Sequence, residues 1–531
     1  MLTRPAPVAE QPPAVRRVRV SAAVALVSGI LLAGAFPRIG IWPLALLSVG
    51  GLSWAVDGRR SRTGAWLGFV YGLGFFVPLL HWTGIYVGPV PWLLLATAEA
   101  GFMAALGAVL PVLQRLRGAP VWIACAWVLQ EALRDRLPFG GFPWGRLAFS
   151  QADSPLRWFI ALGGAPLLTF VVALAGATLL PVVAAALARD WPRAAVRFAV
   201  PVAVVVAGLL AMFPVNGFAP SGHPGPALHI ALVQGSVPDR GLAFEDRAGQ
   251  VLANHIAQTR KLAEEVAAGT TPQPDLVIWP ENSSDLDPYL DAPVAAEISA
   301  VVKEINAPVL VGAILQGPGA DHRRNAGILW SPTTGPGATY IKRHPVPFAE
   351  YLPLRSIATR VSSAAKLVTQ DMVAGHGNGL LQGGPAPIGD VICFEVAYDD
   401  LVRSSVSAGA QLLVVQTNNA TFGHTSETYQ QLAMSKLRAV EHGRSVLQVS
   451  TTGASAVINA KGEVVTESHA LFEPAILTSA VQPVTGLTIA DELGDWPEYV
   501  LSLLALAALG WAIVRSRRDH EPAAPDEMVH R

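Results

Sequence analysis

Apolar and polar positions divide the chain into two regimes. Through residues 20–214, and again at 497–515, apolar residues run on with few charges between them. A bilayer core of ~30 Å is crossed by about 20 apolar residues in a helix. The windows 20–37, 39–56, 64–82, 90–114, 119–133, 158–188, 196–214 and 497–515 fit that pattern and predict a polytopic α-helical membrane domain of about eight spans. The window 119–133 is the shortest and ends near Gln130 and Glu131. The longest, 158–188, carries Gly163 and Gly164 near its start, which predicts a dipping or interfacial first turn. From 225 to 490 the pattern changes. Short apolar runs at 229–238, 275–284, 307–314, 325–332, 338–344, 389–398, 411–418, 444–451 and 454–459 predict strands. Amphipathic stretches at 247–268, 293–306, 399–409 and 427–442 predict helices. Strands alternating with helices argue for a layered α/β sandwich. A Pro/Gly-rich stretch at 215–226 reads as the linker into it.

The short loops orient the helices, because Lys and Arg are in excess on the cytoplasmic side. Arg16, Arg17 and Arg19 precede the first window, and Arg59, Arg60 and Arg62 follow the second. Arg115 and Arg117 follow the fourth, Arg189, Arg193 and Arg197 surround the turn after the sixth, and Arg515, Arg517 and Arg518 follow the last. With eight spans all five groups fall on one side. The loop 134–157, with Arg134, Arg136, Arg146 and Arg157, is the exception. The expected organisation is a cytoplasmic tail at 1–19, seven helices within 20–214, an extracytoplasmic domain at 225–490, an eighth helix at 497–515 and a cytoplasmic tail at 516–531. No small-residue cleavage site follows the first window, so it reads as a retained helix.

Composition agrees with this division. Only 15% of residues are charged and 51% are hydrophobic, against about a quarter charged in ordinary soluble domains. The net charge of -1 gives no basic field for nucleic acid. Of the two cysteines, Cys125 lies in an apolar run and Cys393 is the single thiol of the 225–490 region. Two cysteines so placed do not make a disulfide framework. No metal-ligand spacing occurs, so neither metal nor cofactor is expected. Glu99, inside the fourth window, reads either as a functional carboxylate or as a buried helix-to-helix hydrogen bond.

Three predicted strand ends each present one reactive group: Glu281 after LVIWP, Lys342 after TYI and Cys393 after DVI. Singly, each is an ordinary loop or core residue. Together they supply a reaction. A thiolate attacks an acyl carbon, a carboxylate takes the thiol proton and later returns it, and an ammonium stabilises the oxyanion.

The motifs around them resemble a known superfamily. WPEN at Glu281, YIKRHPVPFAEYLP at Lys342 and Glu350, and ICFE at Cys393 and Glu395 are similar to the carbon–nitrogen hydrolase, or nitrilase, pattern. NNATFG (418–423) and the stretch 439–458 extend the match. With the flanking apolar helices and GFPWGRLAFSQ (141–151), nearly the whole chain resembles the apolipoprotein N-acyltransferase family. The resemblance implies a four-layer αββα catalytic domain. It implies Cys393 as nucleophile, Glu281 as general base and acid, and Lys342 as oxyanion stabiliser, with Glu350, Glu395, Phe394 and Asn325 in support. Trp144 corresponds to the membrane-side FPW tryptophan, although an interfacial anchor is an equally good reading of it. Ala349, Phe394 and Thr421 depart from the residues usual there, as does the His344-Pro345 pair.

The implied partners are a phospholipid acyl donor, a diacylglyceryl apolipoprotein acceptor and the bilayer itself, in the cytoplasmic (inner) membrane of a bacterium. A membrane-anchored amidase acting on a small amide would share the three reactive groups but would not need the 141–151 segment. A transporter or scaffold would not need Glu281, Lys342 and Cys393 intact.

Overall fold

The computed structural model of the chain describes residues 18–187, 189, 191–211, 224–237 and 249–518. Most of both expected tails lies outside the described residues. So do residues 215–223 of the expected linker, residues 188 and 212–214 at the ends of expected spans, residue 238, and residues 247 and 248.

Each apolar window contains an α-helix. The helices are α1 (Val18–Gly34), α2 (Pro43–Val56), α3 (Ser61–Leu79), α4 (Pro89–Leu113), α5 (Ala119–Arg134), α6 (Ile160–Leu187), α7 (Trp191–Ala211) and a final helix, Trp496–Arg518. Among the described residues, Pro89–Leu113, Pro155–Leu179 and Trp496–Arg515 are long and apolar enough to cross a bilayer. The backbone leaves helical geometry at Gly163 and Gly164 (φ -165° and 70°), where the dipping turn was expected.

Small residues set the close contact between α3 and α4. Gly64, Gly68 and Gly72 stand at four-residue spacing on α3, so they share one face. A Cβ on Gly64 would fall 2.2 Å from the Gly107 carbonyl oxygen, and one on Gly68 2.2 Å from that of Met103. Side chains there would force α3 and α4 apart, and small residues at such spacing are how helices gain contact where lipid offers no hydrophobic drive.

The polar end of α5 has its explanation in burial. Gln130, Glu131 and Arg134 turn inward. Arg134 meets Glu99 at 3.2 Å and donates to the Phe142 and Trp144 carbonyls at 2.7 and 2.6 Å. Glu99 is thus the buried helix-to-helix partner, not part of the reactive site.

The remaining chain builds two sheets. Strands β1 (Leu228–Gln234), β2 (Leu276–Ile278), β3 (Val309–Gln316), β4 (His322–Ser331), β5 (Gly335–Ile341) and β6 (Asp371–Met372) lie in the first. Strands β7 (Leu380–Leu381), β8 (Ile388–Ile392), β9 (Leu412–Thr417), β10 (Val446–Ser450), β11 (Ala456–Ile458) and β12 (Val464–Glu467) make the second. β13 (Ala475–Val481) returns to the first and pairs antiparallel with β1. The orders are β13-β1-β2-β3-β4-β5, with β6 on β4, and β12-β11-β10-β9-β8-β7. β12, β13 and the short β6 and β7 were not anticipated from the sequence.

The layers follow from strand alternation, since successive side chains point to opposite faces. Ile230, Leu232 and Ile278 of the first sheet meet Ile388, Val414 and Leu447 of the second in one buried core. The opposite face of the first sheet, with Ala231, Val277 and Trp279, is covered by α8 (Gln250–Ala267) and α9 (Ala292–Ile305). Each such fully buried Val, Leu or Ile contributes roughly 1.5–3 kcal/mol. A short helix, α10 (Arg355–Val361), stands outside this core. The outer face of the second sheet is covered by α11 (Asp399–Ser407) and α12 (Glu427–His442). Their core is continuous with that of the apolar helices. After the short α13 (Ile489–Leu493), the last helix, now α14, packs against α5. The order is therefore helix, sheet, sheet, helix, with the last helical layer resting on the apolar helices.

Candidate active site

Strand ends bring the reactive groups together. β2 runs through Trp279 and Pro280 into Glu281. β5 ends one residue before Lys342, whose N–H donates to the Asn325 carbonyl on β4 at 2.9 Å. β8 ends at Ile392, and Cys393 follows with φ 56°. That left-handed conformation is uncommon away from glycine and turns the chain sharply into a short 3-10 helix, Cys393–Ala397. The turn leaves Cys393 partly exposed, whereas Glu281 and Lys342 are buried.

Lys342 is the hub. Its Nζ lies 3.2 Å from Glu281 Oε1 and 2.9 Å from Glu350 Oε1. Asn325 Nδ2 donates to the same two carboxylates at 2.6 and 3.3 Å. The second oxygen of Glu281 accepts from the Asn418 N–H at 2.8 Å, and that of Glu350 from the Val346 N–H at 2.7 Å. Burial works against the Lys342 ammonium, but Glu281, Glu350 and Cys393 outweigh it and hold its pKa well above the usual lysine value. Burial pushes the Glu281 carboxyl up, with Lys342 opposing and Glu350 adding. Burial also pushes the Cys393 thiol up, and Glu281 adds to it while Lys342 opposes. The proton therefore rests on sulfur, beside a carboxylate whose basicity is raised to receive it.

Glu395 stands behind these groups. Its carboxylate accepts from the Tyr340 hydroxyl at 3.0 and 3.1 Å, and from the N–H groups of Arg343, His344 and Ile392 at 2.7, 3.1 and 2.9 Å. One side chain thus ties the loop after Lys342 to the turn that carries Cys393.

Phe394 faces the apolar helices. It stacks on Trp144 (centroids 5.8 Å apart, planes within 6°) and on Phe142 (5.6 Å, 23°). Trp144 is buried, not lipid-facing, and its Nε1 donates to Gln430 Oε1 at 2.7 Å. Trp82 donates to the same oxygen at 3.2 Å and packs on Phe422. Thr421, where the family usually differs, precedes that phenylalanine in a 3-10 turn.

All eight residues singled out from the sequence thus gather at one site, as a polar group around Lys342 with Glu395 behind it and an aromatic wall. Sequence reasoning missed Asn418 and Gln430. The first contributes only a backbone N–H, and the second reads as an ordinary helix position. Among the described residues no cluster of three His, Cys, Asp or Glu suited to a metal occurs.

Comparison with known proteins gives the arrangement a lineage. Residues 28–178 match a family model described as the apolipoprotein N-acyltransferase N-terminal domain, and residues 230–489 match the carbon–nitrogen hydrolase model. The apolipoprotein N-acyltransferase of Mycolicibacterium smegmatis is 39% identical over 513 residues, covering 93% of this chain and 85% of that protein. This chain belongs to the apolipoprotein N-acyltransferase family. The Azotobacter vinelandii family member is 30% identical, covering 95% of this chain and 97% of its own. Family membership makes the chain an acyltransferase of the carbon–nitrogen hydrolase superfamily, with a nitrilase-like α/β domain and membrane-associated apolar helices. A solved amidase of the nitrilase superfamily from Nesterenkonia covers 49% of this chain and 93% of its own, at 16% identity and a TM-score of 0.35.

Proposed function

We propose that the protein moves a fatty acyl chain from a membrane phospholipid, through a thioester on Cys393, to the N-terminal α-amine of a diacylglyceryl-cysteine on an apolipoprotein. The observation that carries this reading is the convergence of Glu281, Lys342 and Cys393 from three strand ends in a chain of this family.

The geometry supports a two-step course. Cys393 Sγ bonds to the ester carbonyl carbon while its proton passes to Glu281. The carbonyl oxygen gains charge beside the Lys342 ammonium, and a charge placed before the reaction needs no reorganisation. The C–O bond then breaks, Glu281 returns the proton to the leaving alkoxide, and a lysophospholipid departs. The acceptor amine attacks the thioester and gives up a proton to Glu281 as the C–N bond forms, the C–S bond breaks, and sulfur takes that proton from Glu281. Asn325 and Glu350 hold Lys342 and Glu281 in register, and Glu395 is a positioning residue for both the lysine loop and the cysteine turn. The aromatic wall of Phe394, Phe142 and Trp144 offers the acyl chain an apolar surface beside the sulfur. Replacing Cys393 by Ala leaves a folded, membrane-integrated protein with acyl transfer at background. Normal transfer of labelled acyl chains from phospholipid to a diacylglyceryl peptide by Cys393→Ala contradicts this mechanism.

The membrane arrangement is part of the same proposal. Eight spans place residues 1–19 and 516–531 in the cytoplasm and the domain at 225–490 on the extracytoplasmic face of the bacterial inner membrane, where both lipid substrates are in reach. Two of the four arginines in the exceptional loop 134–157 are buried and paired. Arg134 is buried against Glu99, and Arg146 is paired with Asp135 and Asp399 at 3.2 and 2.8 Å. Labelling of cysteines introduced on the exposed side of α8 from the cytoplasmic side alone contradicts the orientation.

A further inference from the structure

The proposed reaction leaves one proton without a carrier. In the first half, the thiol gives up one proton and the leaving alkoxide takes one, so Glu281 alone suffices. In the second half the acceptor is an α-amine, which has a pKa of roughly 8 and arrives largely as an ammonium near neutral pH. An ammonium that becomes an amide nitrogen sheds two protons. One returns to Cys393 through Glu281, and the other needs a second acceptor.

The carboxylates around the site are not equally free. Glu350 is engaged by Lys342, Asn325 and the Val346 N–H, and Glu395 by four donors. Glu427, the first residue of α12, differs from both. It is 1% exposed, yet among the described residues it has no ion pair, and its single hydrogen bond is from the neighbouring Thr428 hydroxyl at 3.5 Å. An acid in a helix first turn is normally solvated and favoured there by the helix dipole. This one is enclosed, and it bears electrostatically on Cys393 and Glu281. Geometry puts this end of α12 at the site: one turn further along, Gln431 accepts from the Thr417 hydroxyl at 3.0 Å, and the residue after that threonine, Asn418, donates its N–H to Glu281 at 2.8 Å.

We propose that Glu427 is the second proton acceptor of the transfer half-reaction, receiving the α-ammonium of the incoming lipoprotein and taking its first proton. The N–H bond of the ammonium breaks, the proton moves to the Glu427 carboxylate, and the lone pair so freed attacks the thioester carbon. Glu427 returns its proton to water once the product leaves. Burial makes its carboxylate more basic than an ordinary one, and the charge of an arriving ammonium favours the ionised form, so the group is suited to take a proton from that ammonium. The proposal rests on the thioester reading above.

The test separates the half-reactions in the full-length protein, held in phospholipid nanodiscs, with a synthetic diacylglyceryl-cysteine peptide as acceptor. Glu427→Gln, nearly isosteric, is expected to load Cys393 from phospholipid at the wild-type rate, which also shows that the site is folded. Its transfer rate near pH 7 is expected to fall by about 100-fold, within the range removed with one acid–base group. The deficit is expected to shrink towards parity well above the pKa of the amine, because a neutral amine sheds only one proton. Glu427→Asp is expected to recover part of the transfer rate. A deficit equal at every pH, or one that falls on loading as well, overturns the role for Glu427. So does transfer by Glu427→Gln at the wild-type rate. Failure of the wild-type protein to load Cys393 at all overturns the thioester reading instead.

Discussion

The two helical layers of the sandwich are built on opposite rules. α8, on the first sheet, buries Val251, Leu252, Ile256 and Leu262 along one stripe and leaves its charges to solvent. Its Arg260 pairs with Glu304 of α9 at 3.4 Å, both about half exposed. α12, on the second sheet, is buried almost all round, and Arg438, Glu441 and His442 are within it. Each of these charges is matched. Arg438 meets Asp399 at 2.7 Å and Glu441 at 2.5 Å, and donates to the Val396 and Ala397 carbonyls at 2.8 and 3.1 Å. His442 meets Asp491 at 2.6 Å. The first layer needs only to cover a sheet. The second must also hold the turn after Cys393 and meet the apolar helices, so Arg438 and His442 are fixed by partners from other segments, and Glu441 by Arg438. A helix that positions a reactive turn inside a protein is specified by its ion pairs as much as by its apolar stripe.

The contrast predicts unequal effects from similar substitutions. Arg438→Ala strands Glu441, leaves Asp399 with Arg146 alone, and is expected to destabilise by about 3–5 kcal/mol, the cost of an uncompensated buried charge. Loss of the Val396 and Ala397 contacts is also expected to lower acyl transfer sharply. Arg260→Ala on α8 is expected to cost about 0–1 kcal/mol and leave transfer unchanged. Thermal unfolding of both variants in the same detergent checks the pair, and equal shifts would erase the distinction between the layers.

Gln430 tests the same idea with an uncharged group. Its Oε1 accepts from both Trp82 and Trp144, and its Nε2 donates to the Leu79 carbonyl at 3.3 Å. Gln430→Leu leaves two buried indole N–H groups unsatisfied. The expected cost is roughly 1–3 kcal/mol for each stranded group. Because Trp144 stacks on Phe394, loading of Cys393 is expected to slow in the same variant. A Gln430→Leu protein with unchanged loading would show that the aromatic wall does not depend on this bond.

Much of this was legible in the sequence, and the remainder was hidden for physical reasons. The eight apolar windows and the strand ends at Glu281, Lys342 and Cys393 are local patterns, and a local pattern can be read. β13 became a strand only by pairing with β1, more than two hundred residues earlier, and nothing in its own short run marks that pairing. Arg134 and Arg146 looked like loop charges because Glu99 and Asp399, their partners, come from distant segments. Glu427 looked like any first-turn acid, since its enclosure arises only when α12 packs into the fold. Buried charges are the hardest feature to read, because what encloses or pairs them comes from distant parts of the fold.

The central claim is that acyl transfer passes through Cys393 with Glu281 as base and Lys342 as oxyanion partner. The most direct measurement incubates the purified protein with phospholipid alone and weighs it by intact-protein and peptide mass spectrometry. One acyl chain should appear on Cys393, removable by hydroxylamine, without any lipoprotein present. Glu281→Gln should slow loading by about 100- to 10,000-fold, as expected for a lost general base. Lys342→Ala should slow it by about 100- to 1,000-fold, as for a lost oxyanion partner. Acylation that requires the acceptor, that sits on another residue, or that proceeds normally in Glu281→Gln would contradict the account.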